Sequence, residues 1–121
     1  MKVLIDTNIL IDVLGGNQDA RAELAAHTDA AISVISAFEV LSGTTSWDED
    51  KAQALIARFR QIDVDPDIVL FAVTLAKERK LPMPDAIIVA TAQATRRTLI
   101  TRDAKLVNEF DDPPVVVPYS L

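Results

Sequence analysis

The 121-residue chain contains no cysteine. That excludes a disulfide framework and any thiolate metal site. It also fits a reducing compartment, so a cytoplasmic protein is the expectation. Histidine occurs once, as His27, which leaves no imidazole cluster for a soft or borderline metal. At the end of an alanine-rich helix, His27 is expected to be a favourable C-terminal cation or solvent contact rather than a general base. No apolar run is long enough to cross a bilayer, since the longest interior one, Ile68 to Ala76, is short and contains Thr74. Asp6 and Asp12 break up the first apolar stretch, so it does not read as a signal peptide. Positive charge is also scarce: 12 Lys and Arg stand against 18 Asp and Glu, a net charge of -6. This argues against a general electrostatic affinity for nucleic acid. Carboxylates gathered around divalent cations would give the same balance, however, and the bound ions would reverse the local field. Where the acids sit therefore matters more than their number.

Half of the residues are hydrophobic, enough for a single domain over residues 1–121 with a core of its own. Lys2 to Ile5 reads as a buried strand, and Ile9, Leu10, Val13 and Leu14 recur at helical spacing up to Gly15-Gly16. The alternation continues with a helix over Asp19 to His27, a strand over Ala31 to Ile35 and a helix from Ser36 to Ser42 that Gly43 stops. Asp48 to Gln61 is an amphipathic helix with Ala52, Leu55, Ile56 and Phe59 on one stripe, followed by a short strand over Ile62 to Val64. Asp65-Pro66-Asp67 starts another helix, with Val69, Leu70, Val73 and Ala76 as its apolar side. Leu81 to Pro84 is a stiff connector. After it come a helix over Asp85 to Arg97, a strand over Leu99 to Thr101, a short helix over Ala104 to Phe110 and a last strand over Val115 to Val117. Strands alternating with helices along the whole length imply a three-layer α/β domain, a central parallel sheet flanked by helices.

In such a domain the carboxyl ends of the strands and the amino ends of the helices share one edge, where open α/β sheets bind ligands. Asp6 ends the first strand, Glu39 follows the second, Asp85 starts the helix after the proline connector and Asp103 follows the strand ending at Thr101. Each of the last three has a purely structural reading. Ser36 to Glu39 is a capping box, Asp85 is a favourable first-turn charge and Asp103 is an N-cap. Ser46-Trp47-Asp48-Glu49 is a second capping box, Asp65 caps the helix that begins at Pro66, and Trp47 reads as a packing or dimer-surface residue. Asp6 has the weakest structural excuse, because Thr7 or Asn8 can cap the short helix without it. Four carboxylates converging from four segments repel unless protonated or neutralised by cations. All-oxygen ligation suits Mg²⁺ or Mn²⁺. The chemistry suggested is metal-assisted phosphoryl transfer, with one or two ions activating water and stabilising charge on the phosphate oxygens.

Ile5-Asp6-Thr7-Asn8 with Ile9 to Asp12, Ser33 to Glu39, Pro84-Asp85 through Ala92, and Ile100-Thr101-Arg102-Asp103 together resemble the four motifs of a PIN domain. The likeness is to the VapC ribonuclease toxins of toxin–antitoxin pairs, and it keeps motif order and spacing over essentially the whole chain. The resemblance implies a PIN-like parallel sheet, Mg²⁺ or Mn²⁺ held by Asp6, Glu39, Asp85 and Asp103, and endonucleolytic cleavage of RNA. In that scheme Asp6 and Asp85 are the principal ligands, and Glu39 and Asp103 complete the acidic pocket. Thr7, Asn8 and Thr101 hold carboxylates or water in place, their alternative being ordinary turn and cap hydrogen bonding. A homodimer silenced by a VapB-type antitoxin is implied as well. Arg96, Arg97, Arg102 and Lys105 fall near the catalytic layer, as contacts to substrate phosphates or as solvated helix-end charges, Arg102 being the one retained as a candidate substrate contact. Asp12 is expected toward solvent or at the margin of the site.

Two other readings compete. A phosphoacceptor receiver domain needs an acidic pair after the first strand and an Asp ending a mid-chain strand. Here Asp6 has no adjacent acid, and mid-chain is the helix Asp48 to Gln61. A PIN-fold binding module without catalysis is opposed by the presence of all four acids.

Overall fold

Val3-Leu4-Ile5 carries apolar side chains on both faces of an extended segment, which is stable only if both faces are covered. In the computed structural model, which describes residues 1–45 and 48–121, this segment is the central strand β1 (Lys2–Ile5), and its last three residues are fully buried. The readings placed on Ser46 and Trp47 lie outside the described residues. Then follow α1 (Thr7–Leu14), α2 (Gln18–Ala25), β2 (Asp29–Ser33), α3 (Val34–Ser42), α4 (Glu49–Ile56) and β3 (Arg60–Ile62). The second half comprises α5 (Pro66–Arg79), α6 (Met83–Ala94), β4 (Thr98–Ile100), a single 3-10 turn over Ala104–Leu106 and β5 (Val115–Val116).

The sheet runs β3-β2-β1-β4-β5 with every pairing parallel. Alternation along the strands sorts the core into two layers. Val3, Ile5, Ile32 and Ile100 point to one face, under α1 to α4, with Ile9, Leu10, Val40 and Ile56. Leu4, Ala31 and Leu99 point to the other, where Ile88, Val89 and Ala92 of α6 cover them. The strand order reverses at β1, whose two neighbours are β2 and β4. This is the switch point at which crevices open at the carboxyl edge of such sheets.

The elements are those expected from the sequence, but several boundaries move. The second strand ends at Ser33, whose Oγ accepts from Ile35 N–H and starts α3 two residues early. Ser36 is therefore buried inside the helix and forms no capping box with Glu39. The helix expected to reach Gln61 stops at Ile56, and β3 forms over Arg60–Ile62 instead of Ile62 to Val64, because Ala31 to Ser33 of β2 offer it a parallel ladder. The expected helix over Ala104 to Phe110 is reduced to one turn. The apolar side of α5 is also misassigned. Asp65 Oδ1 caps the helix on Ile68 N–H at 2.8 Å, and the resulting register buries Ile68 and Ala72 against α6. Val69, Leu70, Phe71 and Val73 are left exposed, Leu70 to 67%.

Arg97 does not lie at the carboxyl edge of the sheet, near which the sequence reading put it. Its side chain is 2% exposed and turns to the opposite edge of the sheet. There Nη1 donates to the carbonyls of Val3 and Asp29, and to Asp29 Oδ1 at 3.0 Å. One guanidinium thus ties the start of β1 to the start of β2, and it holds the Asp29 carboxyl below the usual carboxylate range. Arg97→Ala removes a buried guanidinium and its bonds to one buried and one part-buried carbonyl, and is expected to lower unfolding free energy by about 3 kcal/mol in urea denaturation. A loss below about 1 kcal/mol would show that the staple is dispensable.

Candidate active site

β1 ends in a carboxylate that the fold locks in place. Asp6 extends the ladder by donating its N–H to Ile100 O at 2.9 Å, so its position is set by the β1–β4 pairing. Its side chain is 8% exposed. Oδ1 accepts from Thr7 N–H at 2.7 Å, and Oδ2 accepts from the Thr101 hydroxyl at 2.7 Å. Asp6 is itself the N-cap of α1; Thr7 and Asn8, expected as caps, lie inside the helix and do other work. Burial pushes the Asp6 carboxyl up to about 6 against the opposing effect of those hydrogen bonds, and Asp85 and Glu39 add to the rise.

The other three acids arrive from separate elements, as the topology required. Glu39 projects from the second turn of α3, and Thr7 Oγ1 lies 2.8 Å from its Oε1 and 2.9 Å from Ser36 Oγ. Thr7 has one hydroxyl proton; giving it to the carboxylate leaves Ser36 to donate to Thr7. Asp85 lies in the first turn of α6, and its carboxyl is raised by burial first, then by Asp103 and Glu39. Asp103 caps the 3-10 turn through Oδ1 to Lys105 N–H, and its own N–H donates to Thr101 Oγ1 at 3.1 Å. The capping reading is thus true of Asp6 and Asp103, and it coexists with their place on the acidic edge.

Thr101 is the hub of this arrangement. It is fully buried, donates to Asp6, and accepts from Asn8 Nδ2 at 3.2 Å and from Asp103 N–H. Asn8 Oδ1 in turn accepts from Arg102 N–H at 3.1 Å. Two details escaped sequence reasoning. Ser36 was visible only as a cap. Asp12 is not solvated: its side chain is 9% exposed and accepts from Arg102 Nε at 2.7 Å and from the Tyr119 hydroxyl at 2.8 Å. Arg102, expected to face substrate, has its guanidinium taken up by Asp12. The Tyr119 hydroxyl is pushed up by burial and by Asp12. His27 lies just beyond α2 and its Nε2 is 2.8 Å from Glu23 Oε1; its side chain is 9% exposed and so is not the solvent contact expected as one alternative.

Every donor on this edge is a carboxylate, hydroxyl or amide oxygen, which suits a hard dication. Among the described residues no three carboxylates stand close enough to form a ready-made metal cage. The four acids instead lie within electrostatic reach of one another, through Asp6–Asp85, Asp6–Glu39, Asp85–Asp103 and Asp85–Glu39. Such a loose set suits Mg²⁺, which is usually held by one or two carboxylates and keeps much of its water. Among the described residues no helix is long and apolar enough to cross a membrane.

The PIN domain family model matches residues 3–111. Among solved structures, a toxin–antitoxin complex from Klebsiella pneumoniae contains a chain 40% identical, with TM-score 0.89, over 99% of this chain and 100% of that one. VapBC2 from Rickettsia felis, bound to a DNA fragment from its promoter, is similar at 20% identity and TM-score 0.76, over 100% and 99% of the two chains. VapBC-5 from Mycobacterium tuberculosis matches at 22% identity and TM-score 0.61, over 95% of each chain. At these last two identities the likeness is one of fold. No curated protein matches significantly.

The raised Asp6 and Asp85 carboxyls make metal-free stability depend on pH with a definite sign. Between the ordinary carboxylate range and about 6 the folded chain binds more protons than the unfolded one, so this contribution falls as pH rises through that window. At about 1.4 kcal/mol per pH unit, ionising Asp6 costs the folded state about 3 kcal/mol. In EDTA, the urea midpoint is expected to be higher at pH 5 than at pH 7, and Asp6→Asn should flatten most of that slope. Millimolar Mg²⁺ at pH 7 should raise the midpoint of the unsubstituted chain. A midpoint that climbs from pH 5 to pH 7 in EDTA would contradict the assignment.

Proposed function

Because the chain belongs to the PIN domain family, we propose that it is a VapC-type ribonuclease toxin that hydrolyses RNA phosphodiester bonds with Mg²⁺ or Mn²⁺. The observation that carries this reading is the meeting of Asp6, Glu39, Asp85 and Asp103 at the switch point of the sheet, with Asp6 buried and ionised only at a cost. A bound divalent cation would neutralise phosphate charge and lower the pKa of water for attack. Asp6 and Asp85, the two acids whose charge is least tolerated, are the principal ligands in this scheme. Glu39, held by Thr7, and Asp103, held through Thr101, complete the acidic ring. Asp6, Glu39 and Asp103 are thus held by hydrogen bonds before substrate arrives, which supports a positioned site.

The toxin role rests on the 40% identical chain from a toxin–antitoxin complex, and a VapB-type antitoxin is the partner proposed with it. Beside Glu39 runs a groove lined by Ile11, Leu14 and Val40, a surface on which such a partner could cover the acids. The homodimer implied by the family would use the exposed apolar face of α5, with Val69, Val73 and Met83 around a hollow of about 360 Å³.

Incubation of purified protein with RNA in Mg²⁺, Mn²⁺ or EDTA tests the chemistry. Cleavage is expected only with metal, and Asp6→Asn and Asp85→Asn should each lower it by at least about 100-fold. Equal cleavage by Asp6→Asn, or cleavage in EDTA, would sink the mechanism. Light scattering tests the assembly: Leu70→Asp with Val73→Asp should turn a dimer into a folded monomer. A variant that stays dimeric would remove this face from the interface.

A further inference from the structure

We infer that the groove beside Asp85 and Asp103 is the seat of one nucleotide of the RNA strand, next to the phosphate that is cut; this rests on the ribonuclease reading. The groove has a volume of about 350 Å³, the scale of a small-ligand site. Besides those two acids it is lined by Arg79, Lys105, Glu109 and Phe110, so it opens directly from the catalytic edge. Its apolar wall comes from Leu81 and Leu106.

The chemistry of the lining is that of single-stranded RNA recognition, in which bases stack on aromatic rings or guanidinium planes while cations meet the backbone. The guanidinium of Arg79 sits over the Phe110 ring, 5.8 Å from its centroid. The ring is half-buried against the core and Arg79 is exposed, so Phe110 backs a guanidinium whose outer side is open to a base. Lys105 is exposed on the 3-10 turn immediately after Asp103, where its ammonium can meet a phosphate beside the acids. Glu109 offers an acceptor for the amino group of a base. The lining sets two cations, Arg79 and Lys105, against three acids, so a polyanion would be drawn here once a divalent cation on Asp85 and Asp103 offsets their charge. The other basic hollow, lined by Lys2, Arg60 and Arg97, lies at the opposite edge, and Arg97 there is spent on backbone carbonyls.

The test titrates the four ribonucleoside 5′-monophosphates, with inorganic phosphate as a separate arm, into the full chain in Mg²⁺ while amide shifts are followed by NMR. Nucleotides should move Lys105, Glu109 and Phe110 amides well beyond the effect of inorganic phosphate, and Arg79→Ala should weaken that binding about tenfold. Arg79→Lys should recover only part of it, because an ammonium keeps the charge and loses the plane. In RNA cleavage, Arg79→Ala and Lys105→Ala should raise KM and leave kcat within about twofold. Shifts that map elsewhere, or that inorganic phosphate reproduces in full, would overturn the proposal. Unchanged KM in both variants of a protein that cleaves RNA would overturn it too, while leaving the ribonuclease reading standing. Base-dependent shifts in the groove of a protein that cuts no RNA would uphold nucleotide binding and remove the ribonuclease reading instead.

Discussion

Burial of one carboxylate at the end of the central strand is the constraint around which this molecule is arranged. A β1 whose last three residues are apolar on both faces is stable only between two helical layers, so whatever residue follows Ile5 emerges from the middle of the core. Asp6 emerges there, and two short hydrogen bonds, from Thr7 N–H and the Thr101 hydroxyl, with a longer one from Asn8 Nδ2 at 3.5 Å, offset part of its desolvation. Both donors depend on the topology. Thr7 is placed by the immediate start of α1, and Thr101 by the pairing of β4 beside β1, which also supplies Ile100 O for the Asp6 N–H. The bonds are insufficient, since the carboxyl remains well above its ordinary range. The fold therefore disfavours the ionised form at this point, and Asp85 and Glu39 add to that; on the reading proposed above, a bound cation would relieve it.

This design was legible in the sequence to the extent that it follows from period and order. Alternation of strand-like and helix-like runs gave the parallel sheet, and the rule that strand ends and helix starts share an edge placed the four acids together. What was not legible depended on partners distant in sequence. β3 takes its register from β2, so its span over Arg60–Ile62 is decided by a ladder and not by its own residues. Helical spacing left Asp12 either toward solvent or at the margin of the site, and only Arg102, ninety positions on, decides for the second by pairing with it and allowing its burial. Arg97 looked like a helix-end charge, and only the close approach of β1 and β2 gives it carbonyls to hold. On α5 the error was one of register: a helix rich in apolar residues nearly all round does not announce which stripe meets its neighbour.

Capping and the proposed function are not rivals at this edge. A cap satisfies backbone N–H groups with lone pairs of a carboxylate that has others to spare. Asp6 can hold Thr7 N–H and Asp103 can hold Lys105 N–H while each still offers oxygen to the crevice. Capping, moreover, fixes the rotamer, so the same bond that starts a helix orients a functional group. Glu39 is the exception that supports the rule. It caps nothing, and the fold fixes it by another route, through Thr7 and Ser36.

The network behind the acids explains why the last part of the chain matters to a site it does not enter. Peptide 101–103 carries the Thr101 hydroxyl and the Asp103 carboxylate, and on one side it is tied to β1 and α1 through Asp6 and Asn8. On the other side Arg102 reaches Asp12, and Tyr119, beyond β5, closes over the same carboxylate at 2.8 Å. β5 holds this strand from outside, with Thr101 N–H donating to Val116 O. Asp103 is on a short turn that would otherwise have little to define it. Its position is set by contacts from α1, β5 and Tyr119, none of which bears a charge toward the crevice. The four acids thus differ in how they are held: Asp6 by the sheet, Asp85 by a buried helix, Glu39 by the Thr7 hydroxyl that Ser36 supports, and Asp103 by a scaffold that runs through Asp12 to Tyr119. Loosening that scaffold would first move Asp103, the acid coupled directly to Asp85, and leave the buried Asp6 where β1 puts it.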